Sequence, residues 1–227
     1  MSSDGGRRTG KRGANSSTRP AGVLFVVSSP SGGGKGTLIR RALKEVAGLA
    51  YSVSFTTRAP RPGEADGRDY HFVSPEKFMG MVGAGDFLEW AEVHGNLYGT
   101  SREQAARELA EGRDIILEID VQGAANVRRL GLRAVYVFIL PPSFDVLRER
   151  LRKRGSEGHR DVELRLRNAA GEVAHYKEFD YVIINDVLET AAGQLIAIVK
   201  AERSRRERRE EEVGRVIATF PRAPAAD

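Results

Sequence analysis

The sequence predicts an α/β protein: a parallel five-stranded sheet flanked by helices, carrying a small β-rich insertion. Short apolar runs recur at Val23–Val27, Ile115–Ile119, Ala134–Leu140 and Tyr181–Ile184, as strands buried on both faces do. Stretches of helical periodicity separate them, which is the alternation of a parallel sheet covered by helices. Between residues 51 and 100 the pattern changes to short alternating runs, aromatic residues, prolines and glycines with no long helix.

The first strand, Val23–Val27, runs into Ser28–Ser29–Pro30–Ser31–Gly32–Gly33–Gly34–Lys35–Gly36–Thr37. Pro30 and three successive glycines stop both strand and helix. From Thr37 onward Leu38, Ile39, Leu43 and Val46 recur at helical spacing and define one buried face. Strand, glycine turn and helix together hold a polyphosphate: backbone N–H groups curl into a nest, the helix N-terminus adds partial positive charge, and a lysine reaches the outer phosphates. Lys35 stands where that lysine belongs. The strict pattern G-x-x-x-x-G-K-[ST] is broken twice, by Ser29 at its first glycine and by Gly36 where a hydroxyl is expected, with Thr37 one place later. A flexible glycine turn between core elements is the plainer alternative.

Tyr51–Phe55 alternates like a strand and ends in an irregular loop, Thr56–Glu64, enforced by Pro60, Pro62 and Gly63. Tyr70–Val73 reads as a short strand, Pro75–Val82 as a helix, and Gly83–Tyr98 as the rest of the β-rich insertion. Ser101–Glu111 is a helix that Gly112 can stop. Ile115–Asp120 is the third strand, with a carboxylate at its end. Ala134–Leu140, halted by Pro141–Pro142, is the fourth. Helices over Phe144–Arg152 and Val162–Tyr176 flank a polar loop at Gly155–His159. Tyr181–Ile184 is the fifth strand, and one long helix, Leu188–Val213, closes the fold. Its pairs Glu202/Arg206, Arg203/Glu207, Arg206/Glu210 and Arg208/Glu212 sit at i,i+4, as on a solvated, self-paired surface. Residues 218–227 read as a frayed tail. Ligands of such sheets gather at the strands' carboxyl ends, where Lys35, Arg58, Asp120 and Asn185 fall.

The net charge of +5 over 227 residues belongs to the ends. Residues 1–20 hold five basic groups and one acidic, residues 201–227 seven and six, and residues 21–200 have 24 of each sign. The Gly-, Ser- and Arg-rich leader 1–20 reads as disordered, with weak polyanion or nucleic-acid tethering as its livelier use. No cysteine is present and the four histidines are scattered, which excludes disulfides and thiolate sites and argues against a structural metal. No run is apolar enough to span a bilayer or to act as a signal peptide.

Arg58, Arg61, Tyr70 and Tyr98, two guanidiniums and two phenols on the insertion, form a second set suited to an anionic ligand. Singly, surface salt bridges and ordinary aromatic packing explain them better.

Together they belong to a longer pattern. Ser54–Glu64 (Ser-Phe-Thr-Thr-Arg-Ala-Pro-Arg-Pro-Gly-Glu), Phe87–Leu88–Glu89–Trp90, Tyr98–Gly99–Thr100, Asp120–Val121–Gln122–Gly123, Arg154–Gly155–Ser156–Glu157 and Ile184–Asn185–Asp186 resemble guanylate kinase, in order, from about residue 22 to 200. The resemblance implies a P-loop nucleoside monophosphate kinase domain over 21–202: a core of 21–54 and 101–202, a GMP-binding insertion over 55–100 and a helical lid at about 145–170. Residues 203–227 are left as a charged helix end and tail. It implies transfer of the ATP γ-phosphoryl group to GMP, and to dGMP, with Mg²⁺. Ser29, Pro30, Ser31, Gly32, Gly33, Gly34, Lys35, Gly36, Thr37 and Asn185 are then the ATP-binding set, and Ser54, Arg58, Arg61, Tyr70, Glu89, Tyr98, Thr100 and Asp120 the GMP-binding set. Lys35, Arg58, Arg154 and Arg165 are the catalytic candidates, with Arg150 set aside because Arg148 and Arg152 make its helix arginine-rich. Thr37 is the candidate metal ligand. A cytoplasmic protein, with no membrane contact and possible self-association, is expected. A kinase for another nucleoside monophosphate and a catalytically dead interaction module are the competing readings.

Overall fold

The computed structural model describes residues 21–93, 95–153 and 159–221, with backbone alone for 159–161. The leader 1–20, Arg154 with its stretch to Glu157, and residues 222–227 lie outside the described residues. In chain order the elements are β1 (Leu24–Ser28), α1 (Lys35–Glu45), β2 (Leu49–Tyr51), β3 (Phe55–Thr56), β4 (His71–Phe72), α2 (Pro75–Ala84), β5 (Phe87–Val93), β6 (Asn96–Ser101), α3 (Arg102–Ala110), β7 (Asp114–Glu118), α4 (Val121–Arg129), β8 (Ala134–Leu140), α5 (Phe144–Lys153), α6 (His159–Val173), β9 (Tyr181–Ile184), α7 (Leu188–Arg203) and α8 (Arg206–Ile217).

The expected five-stranded sheet is present, in the order β2-β7-β1-β8-β9 with every pairing parallel. Alternation along the strands splits the core in two. Phe25, Val27, Ile116 and Val137 face one way, onto Leu38, Ile39 and Ala42 of α1 and Leu195 and Val199 of α7. Leu24, Val26, Ile115 and Leu117 face the other way, onto Ala105 of α3 and Ala124 and Val127 of α4. Burying each large aliphatic side chain contributes about 1.5–3 kcal/mol, so truncating a central one such as Ile116 to alanine costs about 2–5 kcal/mol. Among the described residues no helix is long and apolar enough to cross a membrane.

A second, four-stranded sheet in the order β4-β3-β6-β5 forms the insertion. The single strand expected over Tyr51–Phe55 is divided between the two sheets. Ser52 N–H still bonds Ile116 C=O at 3.0 Å, ending the parallel ladder, while Phe55 pairs with His71 and Gly99 in the second sheet. Ser52–Ser54 therefore bridge the two sheets. Alternation continues across that bridge, so spacing alone does not reveal the change of partner.

One helix is added where the sequence reading assigned no element, and one further expectation is corrected. The stretch after Asp120 is a helix, α4, capped by the Asp120 side chain, whose Oδ1 accepts Gly123 N–H at 2.8 Å. The last helix is two: it breaks at Ser204 because tertiary ion pairs capture its charged residues. Glu202 is buried, accepting the Tyr181 hydroxyl at 2.6 Å and pairing with Arg205 at 2.9 Å. Arg203 reaches back to Asp114 at 2.6 Å and to the Ala47 carbonyl at 2.9 Å. Buried partners of this kind outweigh i,i+4 surface pairs worth a few tenths of a kcal/mol, so Glu202/Arg206 and Arg203/Glu207 do not form as expected. Arg206–Glu210, beyond the break, does form, at 3.1 Å.

Candidate active site

β1 ends in a loop whose backbone is set by its glycines. Gly33 N–H bonds the Pro30 carbonyl at 2.9 Å, closing a turn, and Gly32 and Gly34 take φ of 89° and 92°. Gly34 also lies so close to Asn185 that a Cβ would come 2.4 Å from its Nδ2. Asn185, at the end of β9, donates that same nitrogen to the Gly33 carbonyl at 2.9 Å. α1 begins at Lys35 with no side-chain cap, leaving its first amides to an outside acceptor.

Across from the loop stands the second sheet. Glu89, on β5, is 7% exposed and accepts the Thr100 hydroxyl at 2.6 Å. Burial pushes its carboxyl up to about 7; the Asp120 charge adds to the rise and the Thr100 hydrogen bond opposes it. Tyr70 and Tyr98 meet edge to face with centroids 5.9 Å apart. Burial, followed by the charge of Glu118, raises the Tyr70 phenol well above its usual range.

Loop and slot open into one cleft of about 210 Å³, lined from the loop side by Ser29, Ser31, Gly32 and Lys35 and from the insertion side by Ser54, Arg61, Tyr70, Glu89 and Tyr98. Asp120 and Arg165 close it. Arg58 does not line the cleft. Its Nη2 donates to both oxygens of Glu64 at 2.9 Å, and its guanidinium lies 5.3 Å from the Tyr70 ring centre. Thr100 acts through Glu89, and Asn185 through the loop carbonyl. Thr37 is exposed, its hydroxyl accepting from Arg40 at 3.4 Å.

A phosphate-binding loop and a buried carboxylate facing each other match one family closely. The guanylate kinase family model covers residues 21–202. The chain belongs to the guanylate kinase family. A guanylate kinase of Dechloromonas aromatica is 53% identical over 181 residues, covering 80% of this chain and 90% of that protein. One from Thermotoga maritima is 45% identical over 194 residues, 86% of this chain and 94% of its own length. The crystal structure of guanylate kinase from Anaplasma phagocytophilum superposes with a TM-score of 0.70 at 36% identity, over 84% of this chain and 91% of that one.

Within this guanylate kinase fold, two groups at the cleft escaped the sequence reading, and a third, beside the loop, is one that it weighed and set aside. Glu118, at the end of β7, sits 3.9 Å from Lys35 Nζ and accepts the Tyr51 hydroxyl at 3.1 Å. Its distance of two residues from Asp120, one strand period, was the available signal. Glu172 accepts Ser31 N–H at 3.1 Å and also lines the cleft. Arg150, set aside as one of a run of helix arginines, donates Nη2 to the Asn185 carbonyl at 2.9 Å. Its Nη1 is buried with no partner among the described residues, and a Cβ on Gly34 would lie 3.9 Å from it. A guanidinium nitrogen left unpaired beside a phosphate loop is placed for an anion.

Proposed function

We propose that this chain transfers the γ-phosphoryl group of ATP to GMP, giving ADP and GDP, and accepts dGMP as well. The observation that carries the reading is the placing of Glu89 and Lys35 in one cleft. Guanine presents N1–H and its 2-amino group side by side, and a carboxylate accepts from both. Adenine lacks that pair of donors and would leave Glu89 buried with the Thr100 hydroxyl as its one donor and its second oxygen unmet, a mismatch that separates substrates by roughly 10⁴.

The loop amides and Lys35 hold the ATP phosphates, while Asn185 braces the loop through the Gly33 carbonyl, its contact with adenine being carried over from the resemblance. Arg61, Tyr70 and Tyr98 take the GMP phosphate, with Arg58 joining them as it exchanges Glu64 for phosphate oxygens. Ser54, Thr100 and Asp120 complete the guanine slot, Thr100 by fixing Glu89. Phosphoryl transfer has a loose transition state, so positioning and charge stabilisation supply the catalysis. Arg165, with Arg154 by resemblance and Arg150 by position, neutralises charge on the group in transit.

Kinases that use ATP need Mg²⁺, and the residues present fit that ion. Among the described residues no cluster of three His, Cys, Asp or Glu could hold a metal unaided, as suits an ion carried mostly by phosphates and water. Glu118 supplies a hard oxygen donor beside Gly36, whose Cβ would lie 3.2 Å from its Oε1. It would hold the ion, with the Thr37 hydroxyl as a second candidate oxygen. The bound ion draws charge from the phosphate oxygens. The absence of cysteine suits a cytoplasmic setting.

The test is a coupled assay of ADP formation with GMP, dGMP, AMP, CMP and UMP as acceptors. GMP and dGMP should turn over, with kcat/KM for AMP lower by about 10³ or more. Equal rates with AMP would end the guanine reading.

A further inference from the structure

Between the phosphate loop and helix α6 the described contact is one carboxylate on one amide: Glu172 Oε2 accepts the backbone N–H of Ser31 at 3.1 Å. Glu172 stands seven residues after Arg165, two turns along the same helix face, and both side chains line the cleft. A second described link between α6 and the loop is indirect and apolar. Gly32 lies against α5 so closely that a Cβ would come 2.9 Å from Leu147 Cδ1 and 3.0 Å from Leu151 Cδ2. Those two leucines pack in turn on Val162, Leu166 and Ala169 of α6.

Apolar packing fixes the distance between two helices but tolerates small slides and rotations. A directional bond to a backbone donor does not. A slip of one residue along α6 would swing a side chain by about 100° and shift it by about 1.5 Å. Displacements of about 1 Å can cost a hundredfold in rate.

We propose that Glu172 is a positioning residue that registers α6 on the phosphate loop and so sets the Arg165 guanidinium against the phosphoryl group being transferred. The inference rests on the role proposed above for Arg165. Glu172 does not take the place of the phosphates. The amides of Gly32, Gly34, Lys35 and Gly36 have no partner among the described residues, so the nest stays open while Ser31 is held.

The test is a double-mutant cycle on the full chain, with kcat, the two KM values and thermal melting measured for each variant. Arg165→Ala should be slow by itself; a normal kcat there would remove the reading of Arg165, whatever Glu172 does. Glu172→Ala should lower kcat about tenfold or more, leave the KM for ATP within about threefold, and add little to the loss in Arg165→Ala. Glu172→Gln, whose amide oxygen still accepts from Ser31, should keep kcat within about threefold. If Arg165→Ala is slow but Glu172→Ala is normal, or if the two losses multiply, the positioning role is overturned. A lower KM for ATP in Glu172→Ala with unchanged kcat would show instead that the carboxylate competes with phosphate, which also overturns it. Should Glu172→Ala melt far below the parent chain, Glu172→Gln decides: a tenfold loss of kcat at unchanged melting temperature counts against the role, and parental kcat supports it.

Discussion

Thr100 Oγ1 donates to Glu89 Oε1 at 2.6 Å, inside a slot that also brings the Asp120 carboxylate near. The hydroxyl orients the carboxylate, and burial, helped by the second acid, holds back its ionisation. In the guanine-accepting role proposed for it, this acid stays partly protonated until the base arrives.

That arrangement makes GMP capture dependent on pH. The Glu89 carboxyl, pushed up to about 7, keeps its proton below that pH in the empty chain; in the proposed role only the carboxylate accepts from both guanine donors. kcat/KM for GMP should therefore rise with pH and level off above about 7, since this ratio reports the free enzyme. Glu89→Gln should lose this inflection and most of the preference for GMP over AMP. The same shift acts on folding: a raised acid pKa means that the folded chain binds the extra proton, so this group's contribution to stability declines as pH climbs from the ordinary carboxyl range to about 7. Melting temperature of the ligand-free chain, compared with Glu89→Gln across that window, checks the sign.

Gly123 leaves room for the carboxylate. A Cβ there would lie 2.8 Å from Glu89 Oε2 and 3.3 Å from Asp120 Oδ1. Alanine would favour the helix by up to about 1 kcal/mol, so lost helicity would not explain a defect. Gly123→Ala should lower kcat/KM for GMP about a hundredfold while leaving the KM for ATP unchanged. An unaltered KM for GMP would count against this account of the slot.

Lys35 is the cation of the loop. Lys35→Ala should reduce kcat by about 10² to 10³, the usual loss when one charge-stabilising donor is removed. Its pair with Glu118 spans 3.9 Å at a partly solvated site, so melting temperature should move by no more than a few degrees. A normal kcat would refute the loop assignment.

Asp114 should affect stability and leave turnover alone. Buried at the start of β7, it accepts Val23 N–H at 2.7 Å and Arg203 Nε at 2.6 Å, at the end of the sheet away from the cleft. Asp114→Ala strands the Val23 amide and removes the carboxylate partner of Arg203, at a cost of about 2–4 kcal/mol. For a chain of this size that is roughly 5–15 °C in melting temperature, with kcat unchanged. Calorimetry beside the kinetic assay separates the two effects.

The legible parts of the molecule are those with a local rule. Val23–Val27 and Ala134–Leu140 read as buried strands because β-sheet alternation and apolar runs are short-range signals. Gly32 and Gly34 read as a turn because their φ values are open to glycine at little cost. Tyr51–Phe55 was misread because alternation does not say which sheet a strand joins. Leu188–Val213 was misread because helical periodicity continues through Ser204 while the partners of Glu202 and Arg203 lie on β9 and β7.

Residue order by itself determined the strand series, the phosphate loop and the set of arginines, tyrosines and acids from which the cleft is built. Local spacing and backbone preference are enough to encode those. Only the tertiary structure decided that Arg58 rests on Glu64, that Arg150 leans over the loop, and that Glu172 reaches Ser31 across 141 positions of chain. Such contacts depend on how elements dock, and a bond between distant residues leaves no period in the sequence to read.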